Sequence, residues 1–154
     1  MTTPVKLGTQ AIGAAGELLV QYRLLKQGID SARLTTDSGI DLVMYVPGSL
    51  EAHTVQVKTK LKPVPAGGKG KPSLNWPVPI NCKAQWLACV DLSRDAVWLF
   101  TIERAMSFAK QSPPLLYWFV DEAPKDALRE DAMTDHCLES VITDLLGGQP
   151  RELP

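Results

Sequence analysis

Two short runs of alternating apolar residues, with a turn-forming segment between them, constrain the fold of this chain most strongly. Residues 40–46 and 53–59 are rich in β-branched side chains, and the segment PGSLEA separates them. Pro, Gly and Ser are typical of turns. The two runs are therefore predicted to form a β-hairpin with a loop of intermediate length.

The hairpin predicts a polar face with three functional side chains. Symmetric closure about PGSLEA pairs Val46 with His53, Val43 with Gln56, and Asp41 with Lys58. Because side chains alternate along a strand and cross-strand partners project to the same side, Asp41, Gln56 and Lys58 share one face. The opposite face is apolar and can receive a helix: Ile40, Leu42, Met44, Val46, Val55, Val57. A slip of one residue would move Asp41 to the apolar side, so the pattern supports this register.

Helices and further strands are predicted around the hairpin. A helix over 10–27 is indicated by residues at helical spacing before Gly28: Ala11, Ala15, Leu18, Leu19, Tyr22, Leu25. Strands are predicted over 86–91, 97–101 and 115–120, and a helix over 102–110. Residues 74–79 can be extended, but two prolines restrict them to a sheet edge. This order predicts an α/β fold with a mixed central β-sheet flanked by helices.

The C-terminal region is predicted to be helical. Pro124 suits the first turn of a helix. Apolar residues then form one stripe before Gly147: Leu138, Val141, Ile142, Leu145. This stripe is expected to face the core.

The charge of the chain is uneven, although the formal net charge is only -1. Between residues 52 and 90 there is no Asp or Glu, but there are six lysines: Lys58, Lys60, Lys62, Lys69, Lys71, Lys83. Residues 61–73 also contain several Pro and Gly, which predicts a mobile basic loop within one domain, 1–154. Such a segment can bind phosphates, or it can simply be a solvated loop. From Asp121 onward the chain is acidic, which offers a surface to a protein partner.

Several classes of function are disfavoured. No apolar stretch is long enough for a membrane helix, and the N-terminus lacks the pattern of a signal peptide, so a cytoplasmic protein is expected. Cys82, Cys89 and Cys137 include no C-x-x-C pair and are expected to be idle free thiols. The glycine motifs of nucleotide-binding loops are absent from the sequence.

SGIDLVMYV followed by TVQVKTK resembles the motif of the PD-(D/E)XK nuclease superfamily, the restriction-endonuclease-like fold. In this resemblance Asp41 is the acidic residue, and Gln56 and Lys58 belong to the second half of the motif. Glu17, in AAGELLV, matches the acidic residue of the first core helix in Holliday-junction-resolvase-like and Mrr-like branches. Ile40 stands where the motif has Pro, and Gln56 stands where Glu or Asp is usual. The resemblance covers about the first sixty residues.

The resemblance implies a single nuclease-like domain that hydrolyses DNA with Mg²⁺ or Mn²⁺. Asp41 would be the main metal ligand, with Gln56 and the Val57 carbonyl as further ligands. Glu17 would bind a water or a second metal, and Lys58 would act on the attacking water or on the developing charge. Because Gln56 carries no charge, metal binding is expected to be weak.

Nucleic-acid binding is expected from residues that follow the motif. Lys60, Lys62, Lys69 and Lys71 could contact the phosphate backbone. Trp76 could stack on an unpaired base, or it could pack in the core. The chain is short, so recognition would depend on DNA structure, a second subunit in a homodimer, or a partner protein.

Three alternatives remain open from the sequence. Asp41 and Lys58 could form an ordinary surface salt bridge. The chain could be a nuclease-like protein without catalysis that binds nucleic acid or serves as an assembly subunit. It could also be a protein-binding module that uses the acidic C-terminal third.

Overall fold

A computed structural model describes residues 2–36 and 38–147 of the chain. Its helices and strands follow in this order: α1 Thr9–Lys26, β1 Asp30–Arg33, β2 Leu42–Tyr45, β3 His53–Lys60, β4 Val64–Pro65, β5 Pro72–Pro77, β6 Trp86–Asp91, β7 Ala96–Thr101, α2 Ile102–Phe108, β8 Leu115–Phe119, α3 Leu138–Leu145.

The central sheet has five strands in the order β1-β2-β3-β6-β7. β3 and β6 are parallel, and the other neighbours are antiparallel. A second sheet has three strands in the order β4-β5-β8. The predicted α/β class with a mixed central sheet is confirmed.

The central sheet has a different layer on each face. On one face α1 and α3 contribute Val20, Leu24, Leu138 and Ile142 to an apolar core. On the other face the second sheet and α2 pack against β6 and β7. This second core contains Trp76, Trp98 and Trp118, whose ring centroids lie 4.8 to 5.6 Å apart. β3 therefore lies between a helical layer and a β-layer, which determines the surroundings of its two faces.

The buried face of α1 differs from the one its apolar pattern suggests. Leu18, Tyr22 and Leu25 are at least half exposed. The helix instead buries Gly16, Val20 and Leu24. Gly16 explains the choice, because a Cβ at this position would lie only 1.8 Å from Thr59 Oγ1. The helix α1 can therefore approach β3 this closely only if the side that carries Gly16 faces the strand.

The hairpin forms, but its register differs by two residues from the prediction. Val43 pairs with Thr54 rather than Gln56, and Leu42 pairs with Val55. The Ser49 N–H donates to the Val46 carbonyl over 3.0 Å, so the chain turns earlier than the midpoint of PGSLEA. A shift of two residues preserves the faces of a strand, and so the predicted division into apolar and polar faces is confirmed.

Most other elements agree with the sequence predictions, but β1, the region after Pro124 and β5 differ from them. β1 was not predicted, because its sequence DSAR has no apolar alternation. No helix begins at Pro124; Asp126 has a φ of 65°, and a 3₁₀ helix starts only at Glu130. β5 is the middle strand of its sheet, although β4 pairs only with Pro72 and Ser73.

The lysine-rich segment contains regular structure. β4 and β5 form a short hairpin, in which the Ala66 N–H donates to the Lys71 carbonyl. The predicted mobility of residues 61–73 stays a prediction. Within the described ranges, no helix is both long and apolar enough to cross a membrane.

Candidate active site

Asp41 occupies the position where β2 begins to pair with β3. Its N–H donates to the Val55 carbonyl over 2.9 Å, and its own carbonyl accepts from the Leu34 N–H over 2.9 Å. Asp41 Oδ2 then accepts from the Val57 N–H over 2.7 Å. The carboxylate thus takes the place of a backbone acceptor, and this bond holds it beside the strand that carries Gln56 and Lys58.

Gln56 and Lys58 project from β3 toward the layer formed by the second sheet. They are paired with Leu87 and Cys89 of β6, which belong to the second core. Burial raises the pKa of the Cys89 thiol, and the positive charge of Lys58 opposes this rise. Lys58 therefore points to the same side of the sheet as Cys89, as the strand alternation predicts.

Asp41 lies just before the paired residues of β2 and bonds to Val55 and Val57, so it is not the cross-strand partner of Lys58. Gln56 and Lys58 share the face that points to the second sheet, and the Asp41 carboxylate lies at the edge of β3 beside them; all three residues are partly exposed. In the described part of the chain no ion pair joins Asp41 to Lys58. The structure therefore does not support an ordinary salt bridge between Asp41 and Lys58.

The Val57 backbone also belongs to this site. On a β-strand the N–H and C=O of one residue point to the same edge. Since the Val57 N–H points to Asp41, the Val57 carbonyl is directed to the same side of β3. A carboxylate oxygen and a backbone carbonyl thus approach one region beyond the start of β2.

Glu17 lies on α1 and is paired with Arg33, a residue that no sequence pattern indicates. Arg33 on β1 donates to Glu17 Oε2 from Nε over 3.2 Å and from Nη2 over 2.8 Å. Arg33 pairs with Leu42, next to Asp41. Glu17 is therefore at the Asp41 end of the sheet, but Arg33 neutralises its charge. Its role toward a water or second metal stays a prediction.

Cys82 contacts the site directly, although the sequence suggested an idle thiol. Its thiol donates to Gln56 Oε1 over 3.3 Å. The contact joins residues 26 positions apart, in a loop before β6, and no sequence pattern relates them. Gln56 Oε1 is thus oriented by a weak donor, and its second lone pair can still accept another bond.

Two residues that were predicted to contact nucleic acid, Trp76 and Lys71, make other contacts in the structure. Trp76 is 0 % exposed, and its indole N–H donates to the Val90 carbonyl over 3.3 Å. Trp76 therefore packs in the core and has no face for a base. Lys71 forms an ion pair of 2.7 Å with Glu122. Among the described residues, Lys60, Lys62 and Lys69 have no ion-pair partner.

The donor set has the chemistry that a hard divalent cation prefers. Asp41 offers a carboxylate, Gln56 an amide oxygen, and Val57 a carbonyl, all of them oxygen donors. The described residues include no group of three or more His, Cys, Asp or Glu able to hold a metal. The residues therefore fit Mg²⁺ or Mn²⁺ in donor type, with only one carboxylate to bind it tightly.

Similarity to known proteins is found in the fold and not in the sequence. No family model matches the chain, and no curated protein matches it. Among solved structures, the chain is similar to the bacterial homing endonuclease I-Ssp6803I, with a TM-score of 0.65 and 16 % sequence identity. The match covers 93 % of this chain and 95 % of that one. At this identity the similarity establishes a shared fold.

Proposed function

We propose that this chain is a metal-dependent endonuclease of the PD-(D/E)XK kind that hydrolyses phosphodiester bonds in DNA. One observation carries the proposal. The 2.7 Å hydrogen bond from the Val57 N–H to Asp41 holds a carboxylate beside the strand that carries Gln56 and Lys58. The similarity in fold to a homing endonuclease supports the same activity.

The residues of the site have distinct tasks in this reaction. Asp41, Gln56 and the Val57 carbonyl would hold Mg²⁺ or Mn²⁺ through oxygen atoms. The cation, when bound, lowers the pKa of a coordinated water and neutralises negative charge on the phosphate. Asp41 Oδ2 is held by its bond to the Val57 N–H, and Oδ1, which has no hydrogen-bond partner among the described residues, would be free to bind the cation.

Lys58 supplies the positive charge that the protein itself brings to the phosphate. In hydrolysis the oxygen of water adds to phosphorus, one P–O ester bond breaks, and the leaving oxygen takes up a proton. Negative charge grows on the phosphate oxygens during this step. The Lys58 ammonium, with no carboxylate paired to it among the described residues, is available to stabilise that charge.

The test is a cleavage assay with plasmid, single-stranded and branched DNA in Mg²⁺ or Mn²⁺. Wild type is expected to cut at least one of these substrates, and Asp41→Asn should lose the activity while keeping the thermal stability of the wild type. Chelation with EDTA should stop cleavage. Cleavage that persists in Asp41→Asn would move the activity to another site.

A second candidate is a nuclease-fold protein that binds nucleic acid or serves as an assembly subunit without cutting. The neutral Gln56 and the single carboxylate in the donor set favour it. DNA binding by the wild type, with no cleavage of any of the three substrates in either metal, would support this candidate over the nuclease.

A further inference from the structure

A small cavity lies beside the lysine-rich end of β3, and nothing in the proposed chemistry uses it. Its volume is about 230 Å³, and it lies between the end of β3 and the β4-β5 hairpin. Its lining combines aliphatic side chains with polar and basic ones: Lys60, Leu61, Lys62, Val64, Leu74, Asn75.

We propose that this cavity binds one unstacked nucleotide of the DNA strand held at the Asp41–Lys58 site. Lys60 and Lys62 would contact its phosphate, and the Asn75 amide would contact the edge of its base. This inference rests on the proposed nuclease function. A DNA strand bound at Lys58 would pass the cavity, because the cavity lies near Lys58.

The position of the cavity relative to Lys58 is set by the strand. Lys60 projects to the same side of β3 as Lys58, two residues and about 7 Å further along. One strand of DNA advances about 3.4 Å per nucleotide along the helix axis. The cavity therefore lies one or two nucleotides from a phosphate bound at Lys58.

The charge at the cavity is available to a ligand. Lys60 and Lys62 have no ion-pair partner in the described part of the chain, whereas Lys71 on the β4-β5 hairpin is paired with Glu122. Asp91 on β6 pairs with Lys60 in the strand register, but its buried carboxylate is engaged by Arg94 and by the Ser93 hydroxyl. A lysine without a carboxylate partner can contact a phosphate and so release the counterions condensed on the nucleic acid.

The side-chain amide of Asn75 is available for hydrogen bonds to a ligand. Its neighbour Ser73 uses its hydroxyl to donate to the Val64 carbonyl over 3.2 Å. The Asn75 side chain, by contrast, has no hydrogen-bond partner among the described residues. An amide offers both donors and an acceptor, which complement the edge of a base.

The size and walls of the cavity favour a single base over a base pair. Pockets for drug-sized ligands begin at about 300 Å³, and this cavity is smaller. Leu61 and Val64 are exposed apolar side chains at the cavity that suit the faces of a base, and Leu74 belongs to the core beneath. A base can enter a recess of this kind only after it leaves the stack of a duplex or in a single strand.

The test uses the fluorescence of 2-aminopurine, which is low when the base is stacked and rises when it is unstacked. A short single-stranded oligonucleotide with 2-aminopurine at a central position flanked by purines is titrated with the full chain. EDTA is present so that the strand is not cut. Wild type is expected to raise the fluorescence. Asn75→Ala and Lys60→Gln should reduce the rise and weaken binding on the order of tenfold.

Lys71→Gln is the matched control, because it removes the same charge from the adjoining β4-β5 hairpin, at a lysine already paired with Glu122. It should retain most of the rise. Thermal unfolding of each variant checks that the fold is intact. Binding without a rise, an equal rise in Asn75→Ala and wild type, or no binding of the strand would each overturn the proposal.

Failure of the proposed nuclease has a different signature. A rise that depends on Asn75, with no cleavage in Mg²⁺ or Mn²⁺, would support the cavity and reject the nuclease. Cleavage without any rise would support the nuclease and reject the cavity.

Discussion

Lys58 projects from a strand whose apolar neighbours already supply the contacts that the fold needs. Val55 and Val57 face the helical core, and Lys58 faces the other way. Lys58→Ala is therefore expected to keep the melting temperature of the wild type. Cleavage should fall on the order of a hundredfold or more, because one charge-stabilising donor is lost. DNA affinity should fall far less, since one phosphate contact among several is removed.

The comparison needs cleavage rate and DNA affinity measured side by side for the wild type and the variant. Lys110→Ala, an exposed lysine outside the site, is the charge-matched control. A Lys58→Ala variant that cleaves as fast as wild type would show that Lys58 does not act in the reaction.

Gln56 determines how many negative charges face a bound cation. Wild type is expected to bind Mg²⁺ or Mn²⁺ weakly, and Gln56→Glu should bind it more tightly because the number of charged ligands sets the affinity of an oxygen site. Asp41→Asn should abolish binding. Isothermal titration calorimetry with each metal measures all three proteins. Unchanged affinity in both variants would place the cation elsewhere.

The grouping of Gln56 and Lys58 could be predicted from the sequence, because two residues apart on one strand share a face in any register. Asp41 was expected close to them from the hairpin, but the bond from the Val57 N–H that holds its carboxylate there has no signal in the sequence. Cys82 and Arg33 could not be predicted, since their contacts depend on a loop and on an edge strand without apolar alternation. Trp76 was ambiguous because a tryptophan suits both a core and a base.

At the level of elements, the packing of α1 on β3 depends on one glycine. Gly16→Ala places a Cβ against the buried Thr59 hydroxyl and is expected to lower the free energy of unfolding by about 1 to 3 kcal/mol. Gly13→Ala is the matched control on the same helix, because a Cβ added at Gly13 would have no neighbouring atom within 4 Å. Gly13→Ala should raise the free energy of unfolding by up to about 1 kcal/mol.

Urea unfolding followed by circular dichroism gives both free energies. Equal effects of the two substitutions would mean that α1 does not depend on close approach at Gly16.

The positions of helices and strands along the chain were more predictable than the side on which each one packs. α1 is apolar on more than one side, so helical spacing predicted the helix but could not select the side that packs. The choice depends on the steric contact between Gly16 and Thr59, which are far apart in sequence. β1 was missed for a related reason: it joins the sheet through backbone pairing with β2, and its side chains carry no periodic signal.

For the whole molecule, a net charge of -1 conceals a local basic surface near the end of β3. DNA affinity is therefore expected to fall steeply with salt, by a slope of about 0.9 per phosphate contact. Replacing Lys60 and Lys62 together by Gln should flatten the slope by nearly two contacts. Replacing Lys69 and Lys71 by Gln should flatten it less, because Lys71 is paired with Glu122.

Fluorescence anisotropy over a range of salt concentrations measures the slopes. Identical slopes for wild type and the Lys60 and Lys62 double variant would show that this surface is only solvated.

The sequence predicted the class of the fold but not its second sheet. The pairing of β5 with β8 joins segments that are far apart along the chain, and no local pattern indicates which strands meet. The order of elements was enough to predict a mixed sheet with helices. The division into two cores depends on long-range pairing that only the folded chain reveals.

The four tryptophans provide an intrinsic fluorescence probe whose signal depends on their positions in the fold. Trp76, Trp98 and Trp118 lie together in the second core, whereas Trp86 belongs to the first, where its indole N–H donates to His53 Nδ1 over 3.1 Å. Ultraviolet emission therefore comes largely from one side of the central sheet. A red shift of that emission would report loss of the β-layer beside the candidate site, while far-ultraviolet ellipticity would follow α1 and α3 on the opposite side.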